Sequence, residues 1–461
     1  MNCRVRFAPS PTGDLHIGSL RTALFNWAFA RHNCGKFLLR IEDTDRARST
    51  EKNIASILNI MELFDLNYDE EYVLQSERIT RHIEVVDKML EDGVAYKCYC
   101  RQEDLQRKKD DCIARGLSYK YDGTCRELEK DDMTKPFVVR IKSDKVGKSC
   151  LQDIVQGDIE TDNSQLDDFI LLRSDMTPTY MLSVVVDDHD MGITHVIRGS
   201  DHLTNTFRQM QIYKACGWDV PYFAHIPLIY GQDGQKLSKR HGAVNAKDYL
   251  KDGYLPEAML NYLVRLGWSH GDDEIISKRQ IVEWFSLDSV GKSPSRFDIQ
   301  KLNHINSHYL REKDDEDLVH LIESIVDIPN EAARNNVLRG MCGLKKRAST
   351  LKELAEASVV YIDMPRNFEE SCREYMQDIN LTIIKKVADI IMNIGVSEEL
   401  LLPECRKLAE SIGVKFVVVA QTLRSALCGK LVSPSVFEIM QIIGQCDTIA
   451  RLENFIRYCE S

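Results

Sequence analysis

Apolar and polar positions follow two different textures along the chain. Residues 5–9 form a short apolar run ending at a proline-broken turn, the pattern of a brief strand. From His16 to His32 the apolar residues Leu20, Leu24, Trp27, Ala28 and Ala30 keep helical spacing, and Lys36-Phe37-Leu38-Leu39-Arg40-Ile41 then reads as a strand. Strand, turn, helix and strand in that order predict the opening of a parallel nucleotide-binding sheet, which a helix over 50–61 continues. Between about residues 98 and 179, short runs such as Phe137-Val138-Val139-Arg140-Ile141 alternate with charged loops, predicting an inserted α+β subdomain. Buried strands are expected again at 183–186 and 195–198, in the second half of the first sheet. Beyond residue 247 the pattern is helical almost to the end, as in 254–260 and 414–427.

Length and charge narrow this picture. At 461 residues the chain has room for about three domains and can bury several cores without a disulfide or metal. Sixty basic against 71 acidic residues give a net charge of −11, which excludes a uniformly basic nucleic-acid coat. Any nucleic-acid contact must use local basic patches. With 43% hydrophobic and 28% charged residues the chain reads as an ordinary globular protein rather than a disordered one. The first residues, MNCRVRFAPSPTG, place Pro9 and Pro11 where a signal peptide would have its apolar core, and no apolar run approaches ~20 residues. Fourteen cysteines then read as reduced thiols or in part as a metal site, and the expectation is a cytoplasmic protein without a membrane partner.

Two short motifs carry the strongest chemical signal. The first is Arg6-Phe7-Ala8-Pro9-Ser10-Pro11-Thr12-Gly13 followed by His16-Ile17-Gly18-Ser19 at a helix start; the second is Gly234-Gln235-Lys236-Leu237-Ser238-Lys239-Arg240. A helix N-terminus offers backbone N–H groups and a positive dipole end to an anion. Gly18 would let a nucleotide lie against backbone, and His16 could donate to a phosphate oxygen. Lys236 and Lys239, on a glycine-flanked loop, could close over a triphosphate. Such a site needs donors aimed at charge developing on phosphorus more than it needs a base. Gly147-Lys148-Ser149 and Gly291-Lys292-Ser293 look like P-loop endings, but Lys142 and Ser286 occupy the required upstream glycine positions.

These motifs resemble the HIGH and KMSKS signatures of class I aminoacyl-tRNA synthetases, and the RFAPSPTG lead-in with Arg40-Ile41-Glu42-Asp43-Thr44-Asp45 points to the glutamyl branch. The resemblance covers essentially the whole chain, through Pro178-Thr179-Tyr180, Val186-Asp187-Asp188-His189, Val196-Ile197-Arg198-Gly199 and Tyr262-Leu263-Val264-Arg265-Leu266-Gly267-Trp268. It implies ATP- and Mg²⁺-dependent activation of L-glutamate and transfer to the terminal adenosine of tRNA-Glu, with tRNA-Gln as a second candidate acceptor. It implies a monomer with His16, Lys236 and Lys239 as catalytic residues and His16, Gly18, Lys236 and Lys239 around ATP. A glutaminyl enzyme shares the class, but its anticodon region is expected to be a β-barrel.

Charge logic shapes the amino-acid pocket. Glutamate carries two carboxylates and one ammonium, so its site should supply two cationic forks and an acid. Arg6 and Arg198 fit the forks, Glu42 fits the ammonium, and Ser10 and Tyr180 could add hydroxyl contacts; the resemblance implies that these positions form the family's glutamate pocket. Where some family members carry Asn four residues after the tyrosine, this chain has Val184. A further constellation, Cys98-Tyr99-Cys100 and Cys125-Arg126-Glu127, resembles the zinc knuckle of some glutamyl enzymes, whose fourth ligand is a Cys, a His or a Tyr-like substitute. Here the set Cys98, Cys100, Cys125 and Glu127 is a candidate Zn²⁺ site, with Cys112 as a substitute ligand; three unmetallated cysteines packing a small core is the other reading.

The predicted fold class is α/β: a discontinuous Rossmann-like parallel-sheet catalytic domain with an α+β insertion, followed by all-α C-terminal domains. The expected domains are 1–85 and 181–245 for the two catalytic halves and 86–180 for the insertion binding the tRNA acceptor. A helical linker at 246–310 and an all-helical anticodon-binding domain at 311–461 follow. The basic trio Lys345-Lys346-Arg347 reads either as a phosphate contact or as a solvated helix face.

Overall fold

The computed structural model describes residues 3–45, 48–128, 134–235, 237 and 245–460. The chain divides into two compact units. One comprises the chain to Tyr249 together with Met259–Ile299, and the other comprises Leu250–Ala258 together with the chain from Gln300 onward.

In the first unit, strand β1 (Arg4–Phe7) leads through helix α1 (Ile17–His32) to β2 (Lys36–Ile41), and α2 (Glu51–Leu63) to β3 (Val73–Leu74). Then come α3 (Ile79–Glu91), β4 (Ala95–Cys98), α4 (Gln102–Ala114), β5 (Val138–Ile141), β6 (Lys148–Asp153), β7 (Gly157–Asp162) and β8 (Ile170–Leu172). The core closes with α5 (Tyr180–Asp190), β9 (His195–Gly199), α6 (Leu203–Ala215) and β10 (Tyr222–Ile226). β1, β2 and β3 pair in parallel, as do β9 and β10. The Thr194 N–H donates to Arg4 O at 2.9 Å, seaming the edge of β1 to the start of β9. Read across, the order is β3-β2-β1-β9-β10-β6-β7, so strand order reverses between β1 and β9. In open α/β sheets that reversal opens a crevice beyond the strands' carboxyl ends.

Burial explains the helix over the sheet. Ten residues of α1 are buried, including Leu20, Leu24 and Ala28, so it has hardly any polar face. Its second cover comes from late in the sequence: Phe285 meets Phe25 edge-on at 5.2 Å between ring centres, and Arg21 Nη1 donates to Leu266 O at 2.6 Å. The stretch Met259–Ile299, expected within a helical linker at 246–310, therefore packs in the same unit as the parallel sheet.

Two further expectations are corrected. Residues 183–186 are not a strand but part of α5, where Leu182 through Asp188 are all buried. A short apolar run with no polar alternation suits either element. The hairpin of β6 and β7 falls within the predicted insertion, yet β6 pairs in parallel with β10, with Phe223 opposite Asp153. Of the predicted insertion, β4, β5 and β8 form a separate antiparallel sheet.

In the second unit the described residues from Asp315 onward form helices, including Glu331–Lys345, Leu351–Ile362, Phe416–Cys428 and Val436–Glu460. Lys345, first of the basic trio, is mostly buried: its Nζ donates to Lys313 O at 2.5 Å and pairs with Asp315. It holds carbonyls at the end of helix Ile299–Glu312 rather than facing a phosphate. Helices Glu331–Lys345 and Leu351–Ile362 approach closely at Gly340, where an added Cβ would lie 2.3 Å from a ring carbon of buried Tyr361. Gly340→Ala should therefore lower the urea midpoint of the chain. Overpacking costs about 1–3 kcal/mol, and a rigid ring places this site at the upper end, above the ~1 kcal/mol that alanine gains in helix propensity.

Candidate active site

The crevice at the β1/β9 reversal is a cavity of about 630 Å³. Arg6, Ser10, His16, Gly18, Glu42, Tyr180 and Arg198 all line it. Topology brings them together: Arg6 comes from β1, Arg198 from β9, Glu42 follows β2, and His16 and Gly18 open α1. Lys236 and Lys239 lie outside the described residues. The ends of their segment are anchored at the cavity: buried Leu237 lines it, Asn245 forms a β-bridge with His16, and Ala246 N donates to Leu15 O at 2.9 Å.

At the helix start, His16 caps α1. Its Nδ1 accepts the Gly18 N–H at 3.0 Å, so in the neutral ring Nε2 carries the proton and acts as a donor. Below it lies Arg21, whose Nη groups donate to Leu266 O and Pro227 O. Burial pulls the Arg21 pKa down to about 9. This tie holds the strand preceding the lysine loop against α1.

At the other end of the cavity the wall is built from buried charge. Asp188 on α5 accepts from Arg6 Nε at 3.0 Å and from Arg40 Nη1 at 2.5 Å, while Arg40 Nη2 reaches Glu42 at 3.3 Å. All four are nearly or wholly buried. Burial acts to raise the Asp188 pKa, but Arg40 and Arg6 outweigh it and hold the carboxyl below its ordinary range. For Glu42 the balance is reversed: burial, helped by nearby Asp188, lifts its pKa despite Arg40 and Arg6. An arriving ammonium would favour the ionised form. Sequence reasoning placed Glu42 and Arg6 but gave no role to Arg40 and Asp188; charged residues inside strand and helix cores were the available signal.

Arg198 is different, because no carboxylate pairs with it among the described residues. Its Nε donates to His225 Nε2 at 3.2 Å, and its Nη2 donates to Thr206 Oγ1 and Gln209 Oε1, both at 2.7 Å. Nη1 is buried without a partner among the described residues. Desolvation lowers the Arg198 pKa from its usual value. Tyr180 Oη lies 3.1 Å from His202 Nδ1, and burial followed by Glu42 raises the phenol's pKa. Val184 is buried in α5 and does not line the cavity.

The thiol cluster forms a second centre. The sulfurs of Cys98, Cys100 and Cys125 lie within 4.8 Å of one another. The fourth group among them is Tyr121, not Glu127. The phenol oxygen is 3.3 Å from Cys98 Sγ and 3.5 Å from Cys100 Sγ, and accepts the Cys125 N–H at 3.0 Å. Residues 124–127 form a turn that carries Glu127 outward, where its exposed carboxylate sits 3.6 Å from Arg126. Cys112 is likewise outside the cluster. Burial pushes the Cys100 thiol up to about 12, whereas hydrogen bonding from Tyr121 and the Cys100 backbone, with Arg140, outweighs burial and lowers Cys98. Three thiols converging with a phenol oxygen suit a tetrahedral zinc ion.

Asp188→Asn should destabilise the protein by about 3–5 kcal/mol, because it leaves Arg6 and Arg40 buried without their shared anion. Since the folded pKa of Asp188 is depressed, its stabilisation is complete above about pH 4 and is lost as pH falls through the lowered value. Urea midpoints of the two proteins should thus lie far apart at neutral pH and converge in acid.

Comparison with known proteins matches this architecture. The family model for class I tRNA synthetases (E and Q), catalytic domain, matches residues 2–304, and an anticodon binding domain matches residues 309–456. Glutamate–tRNA ligase 2 of Paramagnetospirillum magneticum is 51% identical, over 98% of this chain and 97% of its own length. Its counterpart in Rhodospirillum rubrum is 50% identical, over 98% and 99%. The crystal structure of a glutamate tRNA ligase from Elizabethkingia meningosepticum in complex with its amino acid has a TM-score of 0.88 at 30% identity, covering 99% of both chains. With a matching catalytic model, a matching anticodon model and relatives of about half identity along their whole length, the chain belongs to the glutamate–tRNA ligase family of class I tRNA synthetases.

Proposed function

We propose that this chain activates L-glutamate with ATP and transfers it to the terminal adenosine of tRNA-Glu. The observation that carries the reading is Arg198, a buried guanidinium that has, among the described residues, only neutral partners and one nitrogen without a partner, in the same cavity as Glu42. A buried charge without a counter-ion is costly until an anion arrives, so the wall selects a carboxylate ligand. Arg6 and Arg198 then hold the glutamate carboxylates, Glu42 takes the ammonium, and Ser10 and Tyr180 add hydroxyl contacts. A glutamine carboxamide would leave Arg198 uncompensated.

Activation needs no strong base, because the nucleophile is already an anion. The α-carboxylate attacks the α-phosphorus of ATP and pyrophosphate leaves, giving glutamyl-adenylate. His16 Nε2–H, the N-terminus of α1 and Lys239 meet the charge growing on the phosphates, and Lys236 closes the loop; Gly18 leaves room for the nucleotide. Mg²⁺ carried on the ATP supplies further charge neutralisation. In the second step the 2′-hydroxyl of the terminal adenosine attacks the acyl carbon and AMP leaves. We assign the antiparallel insertion to the acceptor end of the tRNA and the C-terminal helices to the anticodon. Zinc held by Cys98, Cys100 and Cys125, with the Tyr121 oxygen, would brace that insertion.

Glutamate-dependent pyrophosphate exchange in the presence of tRNA tests the activation step. Exchange is expected with tRNA-Glu, and charging of purified tRNA-Glu and tRNA-Gln reads the acceptor directly. Silence with every glutamate-accepting tRNA would refute the assignment. Lys239→Ala should reduce exchange about 10²–10³-fold while tRNA affinity stays close to that of the parent, as expected for a cation acting in the transition state.

Metal analysis provides the second test. Untagged, desalted protein should hold about one zinc per chain, Glu127→Gln should retain it, and Cys125→Ser should lose it. Zinc lost on removing Glu127 alone would return that carboxylate to the ligand set.

A further inference from the structure

Arg198 binds nothing unless its planar fork points into the cavity, and the groups behind it decide where it points. Arg198 Nε–H can only donate, so the His225 Nε2 at 3.2 Å must be an acceptor and the imidazole proton must sit on Nδ1. On that side lies Asp153, whose Oδ2 is 2.6 Å from His225 Nδ1. Asp153 Oδ1 accepts three backbone N–H groups, from Val155 at 3.0 Å, Gln156 at 2.8 Å and His225 at 3.1 Å. Asp153 and His225 are both buried, and they face each other because β6 pairs with β10.

Resting on the assignment of Arg198 to the glutamate carboxylate, we infer that Asp153 and His225 are positioning residues that fix this arginine for recognition of an anionic side chain. Asp153 sets the tautomer, the tautomer presents a lone pair to Arg198 Nε, and Thr206 with Gln209 holds Nη2, leaving Nη1 for the ligand. The arrangement keeps the negative charge one residue away. Asp153 keeps its charge but spends its oxygens on neutral donors, the His225 ring N–H and backbone N–H groups, so Arg198 itself touches only neutral atoms and retains its demand for a carboxylate. A carboxylate at position 225 would instead satisfy the arginine in advance and weaken its preference for glutamate over glutamine.

Asp153→Asn tests the chain of contacts. The Val155 and Gln156 N–H groups, which reach Oδ1 alone, hold the amide oxygen at that position, so the amide NH₂ faces His225 Nδ1. The ring proton must then move to Nε2, where it opposes the Arg198 Nε–H and can turn only to Thr206 Oγ1 at 3.0 Å, the oxygen that accepts from Arg198 Nη2, so the contact to Nε is lost. The expected result, in tRNA-dependent exchange, is a KM for glutamate raised about tenfold or more, with the KM values for ATP and tRNA within about twofold of the parent. Discrimination against glutamine should fall in parallel. His225→Gln added to Asp153→Asn should recover much of the loss, since Gln can accept from Arg198 whatever stands at 153. A purely architectural role for Asp153 in the sheet would not be rescued in this way.

Equal changes in all three KM values, or no recovery in the double variant, would overturn the inference. If Asp153→Asn does not fold, His225→Phe against His225→Gln decides: the phenyl ring should raise the glutamate KM more than the amide, and equal values would overturn it. Parent protein inactive with glutamate would refute the assignment of Arg198 itself. A parent active with glutamate beside an unaffected Asp153→Asn would refute only the positioning role.

Discussion

The pocket rests on one buried carboxylate. Asp188 lies between Arg6 and Arg40, and Arg40 in turn reaches Glu42. Two guanidinium groups removed from water need an anion close by, and a lone carboxylate shared between them leaves a net positive wall. Glu42 at the rim of that wall is pushed towards its neutral form by burial and by Asp188. The site is thus short of negative charge on one side, where Arg6 and Arg198 stand. Glu42 offers the complementary acid on the other. A zwitterionic amino acid with an additional carboxylate, the ligand proposed above, would relieve both.

This electrostatic frame depends on the sheet. Parallel strands bring the ends of β1 and β9 side by side where the order reverses, so Arg6 and Arg198 share a cavity although 192 positions separate them in the chain. The same reversal leaves the start of α1 open beside them. His16 spends Nδ1 on the Gly18 N–H and thereby fixes which nitrogen donates. One backbone hydrogen bond thus sets the polarity of a side chain at the start of α1, much as Asp153 sets that of His225 behind Arg198.

Much of the frame was legible in the chain. Residues 36–41 match β2, and helix α1 begins one residue after the predicted start at His16 because that histidine is its cap. The readings that failed share a cause. A buried run such as 183–186 has no solvent side, so its period carries no information and suits a strand as well as the helix α5 that it forms. The hairpin of β6 and β7 alternates polar and apolar residues like the insertion around it, and only its pairing with β10 assigns it to the main sheet. Lys345 resembled its exposed neighbours in sequence, but backbone carbonyls of another helix claimed its ammonium.

The sequence alone determined the kinds of chemistry present: a capped helix N-terminus, two lysines on a glycine-flanked loop, arginines and an acid suited to glutamate, and three thiols of metal-ligand type. Those features are local, fixed by residue identity and short spacing. Partner choice was decided by the tertiary structure alone. Asp188 and Arg40 became the support of the pocket, Asp153 came to stand behind Arg198, and Tyr121 rather than Glu127 entered the thiol cluster. The reason is physical: what a buried charge or donor does depends on which atoms remain to it once water is gone, and those atoms come from strands and helices far away in the chain.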